Sequence, residues 1–301
     1  MRKYFSLLRV SHWTKNVFLF VAMIFGGKLV GPLDVVLASV GRVTGGFLCF
    51  CLASSAVYIF NDIIDRSTDV LHPEKRQRLI AAGTVTIGTA QVISLLCAGV
   101  AITGSLLLGL RFATVVVGYI LLMILYSVLL KKEMILDCMV ISIGFCLRAV
   151  AGAVVVGVEI SPWLIICTFA LCLFLSFGKR RSEIEQLGEE GGAFRRTLAG
   201  YTPELLGHMV DVTSGVAIAC FLLYTMDDRT REVFGTNNLV YTMPMVLYCI
   251  FRFSALIQRG EYSDPVRLIL RDRPFQIGLV LWVTACIMII YAQRFHLVSG
   301  G

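Results

Sequence analysis

The chain has 301 residues, 57% of them apolar and only 16% charged, with a mean hydropathy of +0.81. Soluble domains carry nearer a quarter charged residues, so this composition excludes an ordinary soluble protein and marks an integral membrane protein. The net charge of +7 follows from how Lys and Arg are placed around apolar runs, so it gives no reason to expect a nucleic-acid partner.

Residues 1–16 are basic, and no small-residue cleavage site follows a short apolar core. The first apolar run is therefore expected to be a retained span rather than a signal peptide. A span needs about 20 apolar residues. Nine candidates appear in chain order: 15–30, 35–60, 86–108, 112–130, 134–157, 161–178, 205–226, 238–257 and 274–293. The first is short and includes Gly26 and Gly27. The prediction is an all-α, polytopic bundle, a single integral-membrane domain over 1–301, because backbone inside a bilayer must satisfy its own hydrogen bonds. The segments 1–16, 61–85, 131–132, 179–196 and 252–273 hold 20 of the 27 Lys and Arg. The positive-inside rule places these segments and the N-terminus on the cytoplasmic side of an inner membrane. The long polar loops fall on that face, apart from "DDRTREVFGTNN" (227–238). All ten cysteines lie in apolar runs without the paired spacing of a zinc site, and read as small packing residues.

The chemistry-bearing residues also follow chain order. In "RVSHWTKN" (9–16), Trp13 reads as an interfacial anchor, and Lys15 either snorkels to lipid headgroups or reaches a substrate. Behind the second span stands "NDIIDRSTD" (61–69). If the helix continues, Asp62, Asp65 and Asp69 fall within about 60° on one face. Carboxylates that close repel unless a cation sits among them, and hard oxygen ligands suit Mg²⁺; the alternative is a solvated helix end. In "HPEKRQR" (72–78), His72-Pro73 ends the helix. Lys75, Arg76 and Arg78 then offer a grip on phosphate, or merely set topology. Acids for a metal beside cations for anions is the layout of a pyrophosphate site. Arg148 stands inside the fifth span, where a charge is costly and usually functional. It either grips a phosphate or pairs with another helix.

"NDIIDRSTD" resembles the N-D-x-x-D-x-x-x-D signature of the UbiA-type intramembrane prenyltransferase superfamily. The resemblance implies a helical bundle with a cytoplasm-facing cavity and Mg²⁺-dependent transfer from a diphosphate. Ordinary members carry a second acidic motif after the sixth span. Here that place reads "GKRRSEIEQ" (178–186), with Lys179, Arg180 and Arg181 ahead of Glu183 and Glu185. "RVSHWTKN", "YSVLLKKEMILDCMVISIGFCLRAVAGAV" (126–154), "GKRRSE" and "LRDRPFQ" (270–276) are similar to the decaprenyl-phosphate phosphoribosyltransferase branch. One departure is Leu79, where that branch typically has proline, a change expected to loosen the loop.

The branch resemblance implies transfer of 5-phosphoribose from phosphoribosyl pyrophosphate (PRPP) to a polyprenyl phosphate, with pyrophosphate released and the product feeding cell-envelope glycans. By the same match, Asn61, Asp62, Asp65 and Asp69 would hold Mg²⁺, with Asp65 and Asp69 also steadying the reacting sugar. Lys15, Asn16, Lys75, Arg76, Arg78, Tyr126, Lys131, Arg148, Lys179 and Arg180 would contact substrates. Membrane lipids are further partners, and a homo-oligomer is compatible with the reading. The rival is an ordinary prenyltransferase acting on a prenyl diphosphate and an aromatic or other small acceptor. Acids at one face rather than the midplane disfavour a transporter.

Overall fold

Apolar runs in a bilayer close their backbone hydrogen bonds within themselves as helices. The computed structural model describes residues 2–29, 31–72, 75–187, 196–259, 268 and 271–299, and all regular structure among them is helical. In chain order the α-helices are α1 (Arg2–Leu7), α2 (Phe18–Phe25), α3 (Leu33–Ile64), α4 (Arg66–Asp69), α5 (Ile87–Leu108), α6 (Leu110–Val128), α7 (Leu136–Val156), α8 (Pro162–Leu187), α9 (Pro203–Met226), α10 (Asp228–Phe234), α11 (Met243–Gln258) and α12 (Arg273–Ser299). Eight helices among the described residues are long and apolar enough to cross a membrane, so the chain is a multi-pass integral membrane protein.

The first expected span takes another form. A 3₁₀ segment, Val10–Val17, leads into the two turns of α2, which stop at Gly26 and the left-handed Gly27 (φ 66°). The helices group into two compact units, Met1–Glu159 and Ile160–Gly301.

In the first unit α3 is the axis, touching α5, α6, α7 and the 3₁₀ segment. Apolar surface gains nothing by leaving lipid, so close packing and interhelical hydrogen bonds hold such helices together. Small residues supply the closeness: Ala53, Ser54, Ser55 and Ala56 of α3 are all buried. Ser94 of α5 donates to the Ala56 carbonyl at 2.8 Å, and Trp13 donates to Ser55 Oγ at 3.0 Å. Ser55 in turn donates to the Leu8 carbonyl at 2.7 Å, which fastens the N-terminal segment along α3. Gly152 of α7 admits the α2 backbone. A Cβ there would stand 2.7 Å from the Leu19 carbonyl carbon and 2.8 Å from its Cα.

A second apolar cluster, Leu7, Ile59, Ile80 and Ala90, sits at the far end of α3, with Leu79 packed against it. Leu79 therefore anchors the loop that carries Arg78 instead of loosening it. Pro73 lies outside the described residues, and the helical run before it ends at Asp69.

In the second unit α8 packs along α9, and α11 against α12. Thr202 caps α9, its hydroxyl accepting from the Leu205 N–H at 3.1 Å. Asp272 precedes α12, accepts from the Phe275 N–H at 2.8 Å, and takes a two-pronged grip from Arg252 at 3.1 and 2.8 Å.

Candidate functional site

The apolar run of α3 carries straight into the acidic motif. Asp65 (φ −82°, ψ 0°) tightens the backbone between α3 and α4. Helical spacing survives the turn: the Asp65 N–H donates to the Asn61 carbonyl at 2.9 Å and the Asp69 N–H to the Asp65 carbonyl at 2.8 Å. Asp62 and Asp69 consequently share a face, and both are buried.

Cations of the chain itself lie among these acids. Arg78 Nη1 donates to Asp69 Oδ2 at 2.6 Å and to Asp62 Oδ1 at 3.0 Å. Arg9 Nη2 reaches the same Asp62 oxygen at 2.5 Å. Lys131 Nζ donates to Asp65 Oδ1 at 2.5 Å and to Asn61 Oδ1 at 3.2 Å, while Asn61 Nδ2 donates to Asp65 Oδ2 at 2.9 Å. Burial pushes the Asp69 carboxyl above the ordinary carboxylate value; Arg78 pulls it down, and Asp62 and Asp65 push it up again.

A cavity of about 540 Å³ borders this cluster, lined by Arg9, His12, Asp62 and Arg78 with apolar walls from Leu7 and Ile80. Asn61, Asp62, Asp65 and Asp69 present hard oxygen donors, the chemistry a Mg²⁺ ion prefers. Among the described residues no three His, Cys, Asp or Glu side chains converge on one metal position. Instead Arg78 bridges Asp62 and Asp69, and Lys131 holds Asp65 together with the Asn61 amide oxygen, so positive charge already lies among the carboxylates.

Deeper along α3 lies a different cluster. Arg148 of α7 is 4% exposed. Its Nε donates to Asn16 Oδ1 at 2.7 Å, Nη1 to the Gly144 carbonyl at 2.8 Å and Nη2 to the Tyr119 hydroxyl at 2.8 Å. Its guanidinium also lies 4.7 Å from the Tyr119 ring centre and 5.2 Å from that of Phe145. Asn16 donates to Cys51 Sγ and Ser54 Oγ, both at 3.3 Å. No carboxylate lies within ion-pair distance of Arg148 among the described residues. The expected alternative of a helix-to-helix ion pair gives way to neutral partners.

The remaining expected residues scatter more. Lys75 is half-buried on a 3₁₀ turn, its N–H donating to His72 Nδ1 at 3.3 Å, and Arg76 is exposed. Tyr126 is half-buried near the end of α6. Lys179 and Arg180 belong to α8 in the second unit, where Arg180 is buried and bonded to Glu183. The neighbouring Arg181 donates to Glu185 at 3.1 Å.

A model of the UbiA prenyltransferase family matches residues 16–271, which include every acid of the first cluster, Asn16 and Arg148 of the second, and all but the last of the spanning helices. The chain belongs to this family. A decaprenyl-phosphate phosphoribosyltransferase of Corynebacterium glutamicum is 29% identical over 94% of this chain and 85% of its own length. An uncharacterized protein of Sinorhizobium fredii is 32% identical over 91% of this chain and 53% of its own. A UbiA homolog of Archaeoglobus fulgidus, solved bound to GPP and Mg²⁺, shares the fold. Its TM-score is 0.71 at 17% identity, over 96% of this chain and 99% of that one.

Two residues of this UbiA-family transferase escaped the sequence reading. Arg9 holds Asp62 and stands 5.3 Å from the Tyr58 ring centre. It adopts a left-handed backbone (φ 50°, ψ 48°), a cost non-glycine residues accept mainly at functional sites. Tyr58 stands one helical turn before Asp62 and meets the His12 ring edge-on at 5.3 Å. The signals were present: Arg9 opens the stretch that holds Lys15 and Asn16, and helical spacing puts Tyr58 on the face of Asp62.

Proposed function

We propose that this transferase moves 5-phosphoribose from PRPP to a polyprenyl phosphate at the cytoplasmic face of an inner membrane. A lipid-phosphate oxygen bonds to the anomeric carbon as the bond to pyrophosphate breaks, inverting the sugar. The observation that carries the reading is the alternation of acids and cations at the end of α3, in a chain similar to decaprenyl-phosphate phosphoribosyltransferases over most of its length. The 20 basic residues on one set of loops support the cytoplasmic orientation. The span of the family match supports treating both units as one transferase domain.

On this reading Asn61, Asp62, Asp65 and Asp69 would hold Mg²⁺, which would neutralise charge on the departing pyrophosphate. Arg78 and Lys131 pair with the acids when no donor is bound and turn to its phosphates when one is. Lys75, Arg76, Lys179 and Arg180 would add positive charge for two anionic substrates. Asp65 and Asp69 would steady the sugar as positive charge develops on it. The lipid phosphate is ionised at neutral pH, so no strong general base is needed. Prenyl transfer is disfavoured because Lys179, Arg180 and Arg181 stand where a second acidic motif would need carboxylates, with Glu183 and Glu185 as its candidates.

The test is turnover of radiolabelled PRPP with decaprenyl phosphate by purified protein. The expected outcome is a labelled lipid and pyrophosphate, lost in EDTA and lost on Asp65→Asn. Prenylation of a small acceptor from a prenyl diphosphate, with PRPP inert, would overturn the reading.

A further inference from the structure

Five cations of the first unit fall into two sets. Arg9, Arg78 and Lys131 each sit on a carboxylate of the acid cluster. Lys15 and Arg148 have no carboxylate within ion-pair distance among the described residues. Lys15 is half-buried on the 3₁₀ segment, next to the Asn16 that holds Arg148 Nε. Tyr58 stands one helical turn beyond Ser54, on the face of α3 that Asn16 meets, with the His12 ring edge-on against it and the Arg9 guanidinium 5.3 Å from its ring centre. Three of the five Arg148 N–H groups are spent on neutral partners, and two remain. A cation buried at span depth without a counter-ion is costly, and such groups usually serve a ligand.

We propose that Lys15, Arg148 and the Tyr58 hydroxyl form a separate phosphate subsite, and that it takes the phosphate of the lipid acceptor while the acid cluster serves the donor. The assignment deepens the proposed reaction and rests on it for the identity of the two substrates.

Two physical arguments choose the occupant. The first is charge. A pyrophosphate that arrives with a divalent cation is suited by carboxylates, which repel a bare phosphate. A lipid phosphate arriving without metal is suited by cations with no acids between them. The second is depth. Tyr58 lies four residues before Asp62, about 6 Å further into the span at 1.5 Å per residue. Asn16 meets α3 deeper still, at Cys51 and Ser54. A phosphate tethered to a hydrocarbon chain approaches from the membrane side, and PRPP from water. Arg9 joins the two subsites, with its guanidinium on Asp62 and over the Tyr58 ring. Acceptor oxygen and departing pyrophosphate would then meet within one helical turn.

The experiment is equilibrium binding to purified full-length protein in detergent, without turnover. The probes are decaprenyl phosphate, decaprenol, and PRPP with Mg²⁺, each titrated against wild type, Lys15→Met and Tyr58→Phe. Loss of a charge-assisted hydrogen bond predicts that Lys15→Met weakens decaprenyl phosphate about tenfold or more, and Tyr58→Phe about fivefold. Decaprenol binding stays unchanged, and PRPP affinity holds within about twofold. Three results would overturn the assignment: PRPP affinity falling in place of decaprenyl phosphate, neither affinity moving, or wild type binding decaprenol as tightly as its phosphate. Because the readout needs no reaction, a protein that binds lipid phosphate through Lys15 but never turns over PRPP would sink the proposed reaction and leave the subsite standing.

Discussion

Single residues decide how charge is held in this protein. Arg78 uses one guanidinium nitrogen to bridge Asp62 and Asp69, which the helix brings to one face. Breaking such a buried pair leaves an uncompensated charge and costs about 3–5 kcal/mol, so the acid face and Arg78 are one unit. In the second unit, Asp272 plays a structural part. Hydrogen bonding from Arg252 holds its carboxyl below the ordinary carboxylate value, and the Phe275 N–H adds to the effect. Its stabilising contribution is therefore present above the unfolded-state pKa of about 4 and lost as pH falls through the depressed folded value. Asp272→Asn is expected to lower stability at pH 7 by about 1–3 kcal/mol. Thermal unfolding in detergent should show that gap closing as pH drops below about 4, and a gap independent of pH would contradict the assignment.

At the scale of elements, the 3₁₀ segment and α2 act as a strap along α3 and α7. The strap places Arg9 on Asp62 and Asn16 on Arg148, and it reaches α7 only because Gly152 has no side chain. Gly152→Val forces a branched side chain into the Leu19 backbone, and overpacking of this kind costs about 1–3 kcal/mol. The expected result is a lower melting temperature together with weaker binding of decaprenyl phosphate, as Asn16 and Lys15 are displaced. Unchanged melting would show that α2 and α7 do not approach so closely. The loop from Lys75 to Val85 is a second case. Sequence suggested that Leu79 in place of proline would free it, yet Leu79 and Ile80 bury against Leu7 and Ile59 and set Arg78 in place.

For the whole molecule, the property to test is sidedness. The bias of Lys and Arg predicts that α4 faces the cytoplasm and that the turn at Asn237 faces the opposite side. Ser67 and Asn237 are both exposed. A membrane-impermeant maleimide should label Ser67→Cys in inside-out vesicles and Asn237→Cys in intact spheroplasts. The reverse pattern would place the acid cluster on the wrong side for PRPP.

The helical, membrane-spanning class was readable from the chain because hydropathy and the demand for internal backbone hydrogen bonds depend on local runs of residues. The acid face was readable for the same reason: Asp62 and Asp69 lie within two helical turns, and helix geometry alone aligns them. Both kinds of inference use short sequence separation. Arg9 on Asp62, Lys131 on Asp65 and Asn16 on Arg148 join residues 53, 66 and 132 positions apart, and no periodicity carries such a pairing. Whether a buried cation meets a carboxylate or only neutral groups depends on which helices pack side by side. That choice was made by small residues such as Gly152 and Ala53 and by interhelical hydrogen bonds. Tertiary packing therefore decided which charges meet an opposite charge and which meet only neutral partners.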